Sequence, residues 1–329
     1  MSVEDERDDE FEGLPDEEGF DEPEEGEFRA GFVAVVGRPN VGKSTLINAL
    51  LGQKIAAVSP KPQTTRRQQL RILTRNEAQV IFVDTPGMHV PVHKLGEFMN
   101  ETAAETLEEA DLVLWLVDVS APPNDEDRLI ASRLKSVKHL APLLLVMNKT
   151  DRVSAGQLEI DRSAYQALFP QGTAVVVSAL TGAGLPELLD TILERLPEGP
   201  PFFAPDQITD YYEREIAAEL IREATLLHLR DEVPHGVAVR IDEFAERGEN
   251  GAYIAATIFV ERESQKGIVI GKSGEMLKRI GMTARKEIET MSGRKVFLEI
   301  RAKVNKNWRD NPDALRLMGY VSEKKKKKK

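Results

Sequence analysis

Gly37-Arg38-Pro39-Asn40-Val41-Gly42-Lys43-Ser44 is the stretch that decides how this chain is read. It matches G-x-x-x-x-G-K-[ST], follows the apolar run Gly31 to Val36 and precedes the helix-forming run Ser44 to Leu51. In a strand–loop–helix setting the two glycines let the backbone wrap round a phosphate chain. The N–H groups at the helix start then face the anion. The spacing predicts that Lys43 reaches the β- and γ-phosphates and that the Ser44 hydroxyl ligates Mg²⁺. A chance match is the competing reading, and the strand before the pattern and the helix after it count against it.

Downstream, the apolar runs Ala78 to Val83, Asp111 to Asp118, Ala141 to Met147 and Thr173 to Val177 alternate with amphipathic segments. Continuous apolar strands separated by helices predict an α/β domain with a mostly parallel sheet and helices on both faces. Gln68 to Arg75 is a candidate antiparallel edge strand. A helix over about 185–196 ends before the breaker cluster Pro197-Glu198-Gly199-Pro200-Pro201. The first domain is therefore placed at 29–198 and a linker at 199–204.

Three strand ends carry further chemistry. Asp84-Thr85-Pro86-Gly87 ends one strand, where Asp84 can hold Mg²⁺ through a water and the Gly87 N–H can meet a γ-phosphate. Asn148-Lys149-Thr150-Asp151 ends another. The Asp151 carboxylate can accept two hydrogen bonds from guanine, at its ring N–H and exocyclic amine. Adenine offers neither donor and would leave a buried carboxylate unpaired, a strongly discriminating mismatch. Lys149 can lie along the base, and Asn148 can tie its loop to the phosphate loop. Ser178-Ala179-Leu180 follows the last strand and can present the Ala179 N–H to guanine O6. Each pattern alone is weak. In this order, each at the tip of a parallel strand, they predict a guanine-nucleotide site.

The second domain is placed at 205–315. Ile208, Tyr212, Ile216, Leu220 and Leu227 mark a helical face. Strand-like runs at Gly236 to Asp242 and Ala252 to Val260 come next, then helical stretches flanking Gly271-Lys272-Ser273-Gly274, then a strand at Lys295 to Lys303. The order helix, strand, strand, helix, helix, strand predicts a smaller α+β unit and matches the type II KH arrangement. The G-x-x-G pattern, weak alone, lets a loop approach a nucleic-acid backbone closely. Gly271, Lys272, Ser273, Gly274, Lys278 and Arg301 are the expected RNA contacts. Residues 201–263 sum to a charge of −8 and residues 264–309 to +8, which sets a basic half against an acidic one. Trp308 is read as packing the end of the domain, with stacking on a base as the alternative.

Of the net charge of −11, the first 28 residues hold −14, with 15 acidic residues against Arg7. That tail is expected to be disordered and solubilising, with an RNA-mimicking or docking arm as the alternative. Residues 316–329 are read as a basic tail ending in the run Lys324 to Lys329, a solvated end or an electrostatic contact for RNA or anionic lipid. Cysteine is absent, which excludes disulfides and thiolate metal sites. No apolar run is long enough to span a bilayer, and the acidic start is unlike a signal peptide. A soluble, cytoplasmic protein is expected.

The segments GRPNVGKSTLINALLG, PQTTRRQ, VDTPG, NKTD and SAL together resemble the Era family of bacterial ribosome-assembly GTPases, with similarity over about 30–320. The resemblance implies that Pro62-Gln63-Thr64-Thr65-Arg66 is a first switch, with Thr65 on Mg²⁺ only in the GTP state and Thr64 as the alternative. The second switch would run from Asp84 to about Lys94, with His89 and His93 as solvated loop residues. Lys43, Thr65 and Gly87 form the implied catalytic set. Met88 follows Gly87 where Ras-like GTPases place a water-orienting glutamine. Asn40 is similar to a residue that helps hold K⁺ in related GTPases. Slow intrinsic hydrolysis, Mg²⁺-dependent and K⁺-stimulated, is the expectation. The implied partners of this monomer are the 3′ end of small-subunit rRNA and the assembling small ribosomal subunit. Two other classes compete. One is a signalling GTPase held at the inner face of the cell membrane by its lysine tail. The other is an RNA-binding protein whose GTPase has decayed, against which the intact Lys43, Ser44, Asp84 and Asp151 argue.

Overall fold

The computed structural model describes residues 28–52, 66, 68–86, 93–209, 213–230, 233–248 and 251–320. Residues 1–27, the lysine run and most of both expected switches, including Pro62, Gln63, Thr64, Thr65, Gly87, Met88 and His89, lie outside the described residues.

Strand β1 (Arg29–Val36) feeds the phosphate loop and helix α1 (Lys43–Leu51). Strands β2 (Gln69–Arg75) and β3 (Ala78–Asp84) form a hairpin. Then α2 (Lys94–Glu109) leads to β4 (Leu112–Asp118), α3 (Asp125–Ser136) to β5 (Leu143–Asn148), and α4 (Ala155–Leu168) to β6 (Thr173–Val176), before α5 (Leu185–Leu193). The sheet order is β2-β3-β1-β4-β5-β6, parallel throughout except for the β2–β3 pair. Strand β4 shows why the run had to be apolar without interruption. Leu112, Leu114 and Leu116 enter the core shared with α1 and α5, while Val113, Trp115 and Val117 enter the one shared with α2, α3 and α4. Alternation along a strand sends neighbours to opposite faces, and here both faces are covered. Burying each of these side chains is worth roughly 1.5–3 kcal/mol.

The second unit runs α6 (Glu213–His228), β7 (Ala238–Glu246), β8 (Gly251–Val260), α7 (Glu263–Ile270), α8 (Glu275–Ser292), β9 (Lys295–Val304) and α9 (Pro312–Leu317). Its sheet has the order β7-β8-β9, with β7–β8 antiparallel and β8–β9 parallel. Ile216, Leu220 and Ile221 of α6 and Ala284 and Ile288 of α8 cover one face of it, against Val239, Ile254 and Ile258. Among the described residues, no helix is long and apolar enough to cross a membrane.

One boundary differs from the sequence reading. A domain end at 315 cuts through α9, and Leu315, Met318 and Tyr320 are buried where a basic tail was expected to begin. Six helical residues are too few to show a periodicity. The helix starts because Asn311 accepts from the Asp313 and Ala314 N–H groups and Pro312 occupies its first turn. The linker placed at 199–204 packs against the first domain. Gly199 N–H donates to the Phe28 carbonyl, and the buried Gln79 side chain accepts from the N–H groups of Phe202 and Phe203 and donates to the Phe203 carbonyl. Phe202 meets Phe32 edge-on at 5.1 Å, and the Ile72 N–H continues the strap by donating to the Ile208 carbonyl.

Candidate functional site

Each glycine of the phosphate loop has a steric reason to be there. A Cβ at Gly37 would stand 2.4 Å from the Leu116 carbonyl oxygen of β4. One at Gly42, where φ is +103°, would stand 2.4 Å from the Asn148 side chain. The loop therefore lies pressed between two strand tips. Lys43 is buried beneath it, and its Nζ donates to the carbonyls of Gly37 at 3.0 Å and Arg38 at 3.2 Å. Burial lowers the Lys43 pKa to about 8, against an opposing pull from the Asp84 carboxylate. A polyphosphate beside it restores the charged form. Ser44 Oγ donates to Asp84 Oδ2 at 3.2 Å, which brings together the two groups expected on Mg²⁺. Two oxygen donors of this kind suit a hard cation that takes its remaining ligands from phosphate and water. Thr85 Oγ1 donates to the Val35 carbonyl and pins the root of the expected second switch to β1. Arg38, Pro39 and Val41 complete the loop, and Pro86 is the last described residue before the second switch leaves the described residues.

The base-recognition loops are tied to the phosphate loop. Asn148 Nδ2 donates to the Val41 carbonyl at 2.8 Å. Its Oδ1 accepts the Ala179 N–H at 2.9 Å, so that N–H, expected to face guanine O6, is already engaged by Asn148. Ser178 Oγ donates to Asp151 Oδ1 at 2.6 Å and orients the carboxylate, and Thr150 Oγ1 holds the Val177 carbonyl. Leu180 is exposed beside them. Lys149, at φ 70°, donates to the Asn40 carbonyl at 2.8 Å and to Asp118 Oδ2 at 2.6 Å. Asp118 was read only as the end of a strand, though a carboxylate at a parallel-strand tip was the available signal. Burial raises its pKa, but hydrogen bonds from Lys149 and Ser120 outweigh that and hold it below the usual value. Asn40 itself has φ 64°.

The second candidate site is built round the G-x-x-G loop. A Cβ at Gly271 would meet Met276 Cβ at 2.7 Å and Met276 N at 2.8 Å. Gly271, Ser273 and Gly274 all have positive φ, at 72°, 52° and 82°. For a serine this conformation costs roughly 1–2 kcal/mol. The strained turn thrusts Lys272 and Ser273 into solvent. Beside it lies a groove of about 450 Å³ between α8 and β9, walled by Gly274, Leu277, Lys278, Gly281, Met282 and Arg285 on one side and by Phe297 to Ile300 on the other. Lys278 thus lies where expected, with Arg285 added. Arg301 follows Ile300 along β9 and pairs with Glu299 of the groove wall at 3.2 Å. Trp308 is buried and donates its indole N–H to the Gly236 carbonyl.

A seam at α2 joins the two domains. Leu95 and Met99 of α2 pack with Ala238, Phe259, Trp308, Leu315, Met318 and Tyr320. Arg66, from the expected first switch, is buried there, donates to the Val237 carbonyl at 2.6 Å and lies 5.7 Å over the Trp308 ring. His93 precedes α2 and supplies no side-chain cap. Asp310 of the second unit does so instead, accepting the Lys94 N–H at 3.1 Å and meeting His93 Nδ1 at 2.9 Å. No local signal in the sequence pairs residues this far apart.

A family model described as 50S ribosome-binding GTPase matches residues 32–149, and one described as KH domain matches residues 232–309. GTPase Era of Leuconostoc citreum is 48% identical over 300 residues, which cover 91% of this chain and 99% of that protein. GTPase Era of Ruminiclostridium cellulolyticum is 46% identical over 297 residues, covering 90% and 99%. Among solved structures, an Aquifex aeolicus Era variant bound to GDP and aluminium fluoride gives a TM-score of 0.85 at 42% identity, covering 90% of this chain and 100% of that one. An Era in complex with MgGDPNP and nucleotides 1506–1542 of 16S ribosomal RNA matches with the same TM-score of 0.85 and 42% identity, covering 90% and 100%. With both its domains and nearly all of its relatives' length accounted for, this chain belongs to the Era family of GTPases.

Proposed function

We propose that this GTPase is a nucleotide-controlled RNA-binding switch that acts in assembly of the small ribosomal subunit. Its RNA partner is the 3′ end of small-subunit rRNA, held in the α8–β9 groove beside Gly271–Gly274. The observation that carries the reading is the seam at α2, where residues of both expected switches, Arg66 and His93, touch the second domain. The RNA in the matched Era complex supports the choice of partner.

In this reading Mg²⁺ is held by Ser44 and Asp84, joined by Thr65 in the GTP state, and neutralises charge on the transferring phosphate. Lys43 reaches the β- and γ-phosphates. Ser178 fixes the Asp151 carboxylate for the guanine edge, and Asn148 shares the Ala179 N–H with the base. Met88 cannot orient water, so hydrolysis proceeds slowly without a side-chain base from this chain. Asn40 would hold K⁺, which would supply part of the charge neutralisation. Turnover in K⁺ against Na⁺, with Asn40→Asp as the control, tests that step, and equal rates in the two salts remove it.

The chain works as a monomer in the cytoplasm. Liposome and RNA pull-downs with and without residues 324–329 separate RNA from a membrane surface as the partner of the lysine run. Crosslinking to RNA in the GTP-analogue and GDP states tests the switch itself. Identical crosslinks in both states would end that reading.

A further inference from the structure

The α8–β9 groove does not stop at its own walls. Phe297 borders it and also borders a second cavity of about 650 Å³ that continues past Tyr253, Lys295 and Arg247. Phe297 is 69% exposed, so packing gives little reason for an aromatic ring there. The parallel register pairs it with Tyr253, and the two rings stack with centroids 5.8 Å apart and planes 19° from parallel. The Arg247 guanidinium lies 5.3 Å over the Tyr253 ring. The Tyr253 hydroxyl donates to Glu299, which locks the ring in place. Among the described residues, the carboxylates lining the two cavities are engaged, Glu299 by Tyr253 and Arg301, and Glu289 by the Val296 N–H, while the Glu243 carboxylate also acts on Tyr253. Among the described residues, Lys295 and Arg247 make no ion pair with a carboxylate. An open ring, braced from behind and flanked by two cations, thus continues a groove that ends at an edge strand.

We infer that Phe297, supported by Tyr253, is a stacking platform for a nucleobase of the single-stranded RNA whose neighbouring nucleotides fill the groove. Arg247 and Lys295 meet the adjoining phosphates. The inference rests on the RNA-binding reading above and divides the labour within it. The groove selects bases through their polar edges, whereas the platform adds affinity with little choice of base, because every base has a π-face.

The test uses the full chain with a GTP analogue and an RNA of nucleotides 1506–1542 of 16S rRNA, shortened stepwise from either end. A 2-aminopurine replaces single adenines in turn. The wild-type chain is expected to lose about five-fold to hundred-fold in affinity at the one step that removes the stacked base. Phe297→Ala is expected to show that loss already on the full RNA and no further loss at that step. It should also remove the quenching of one 2-aminopurine and leave the salt dependence unchanged. Phe297→Trp restores binding. Lys295→Ala instead flattens the salt dependence by about one phosphate contact. Phe297→Ala that binds the full RNA as tightly as wild type, or that weakens every shortened RNA by the same factor, overturns the platform while leaving RNA binding intact. A wild-type chain that binds none of these RNAs removes the RNA reading and the platform with it.

Discussion

The two domains are joined by two seams of different material. One is the strap 198–209, laid along β1, β3 and β2 by amide hydrogen bonds and centred on Gln79. The other is the seam at α2, made of apolar packing round Trp308, the buried Arg66 cation and the Asp310 carboxylate that caps a helix of the other domain. The contacts described for the strap are with the framework of the sheet. The α2 seam is continuous in sequence with both loops that follow the phosphate site. A coupling between sites needs an element with two arrangements that both sites can bias. The strap holds the second domain close, and the seam at α2 is the part that a change in the switches can reach.

The largest expected effect breaks the α2 seam outright. Trp308→Ala removes a buried ring that stacks on Tyr320 and supports Arg66, and should cost about 3–5 kcal/mol in denaturant unfolding. The loss should also abolish any difference in hydrogen exchange of α2 between GTP-analogue and GDP states. Gln79→Leu attacks the strap instead. It leaves the Phe202 and Phe203 N–H groups without their acceptor, at about 1–3 kcal/mol for each that stays buried. Exchange at 202–203 should rise equally in both nucleotide states, and a state-dependent rise would erase the contrast between the seams.

A third test moves the nucleotide rather than a seam. The Lys43 pKa is lowered to about 8 in the free chain, and a bound polyphosphate raises it. Binding therefore takes up a proton above that value, and GDP affinity should fall about ten-fold between about pH 7 and pH 9. Calorimetry in buffers of different ionisation enthalpy reads that proton directly. The smallest effect belongs to the helix cap. Asp310→Ala should cost about 0.5–2 kcal/mol, visible only where α2 is docked. Acid does the same to the native chain. Burial raises the Asp310 pKa, but the Lys94 N–H and His93 pull it net below the usual carboxylate value. Its contribution is thus present above about pH 4 and lost as pH falls through the depressed value. The amides of the strap do not titrate, so acid should loosen the α2 seam first.

The nucleotide site was legible because its parts are local. Gly37, Gly42, Lys43 and Ser44 act through backbone torsions and one helix end, Asp84 sits at the tip of β3, and Asn148 ends β5 with Asp151 in the turn just after it. Arg301 is paired with Glu299 of the groove wall, a contact that alternation along β9 does not reveal. Asp118 and Gln79 passed unread, since a carboxylate or an amide on a strand carries no mark of what it will meet. The end of the second domain was missed for the opposite reason. Pro312 to Leu317 is too short to show which residues will be buried.

By itself the sequence determined the two folds, the phosphate loop, the preference for guanine and the G-x-x-G turn. All of these follow from periodicity, torsional freedom and hydrogen-bonding groups close along the chain. Only the tertiary structure decided that Asp310 caps a helix more than two hundred residues earlier, that Arg66 lies over Trp308, and that Phe297 stacks on Tyr253. Those contacts join residues far apart in sequence, and their partners are set by sheet register and domain docking, which no local pattern encodes.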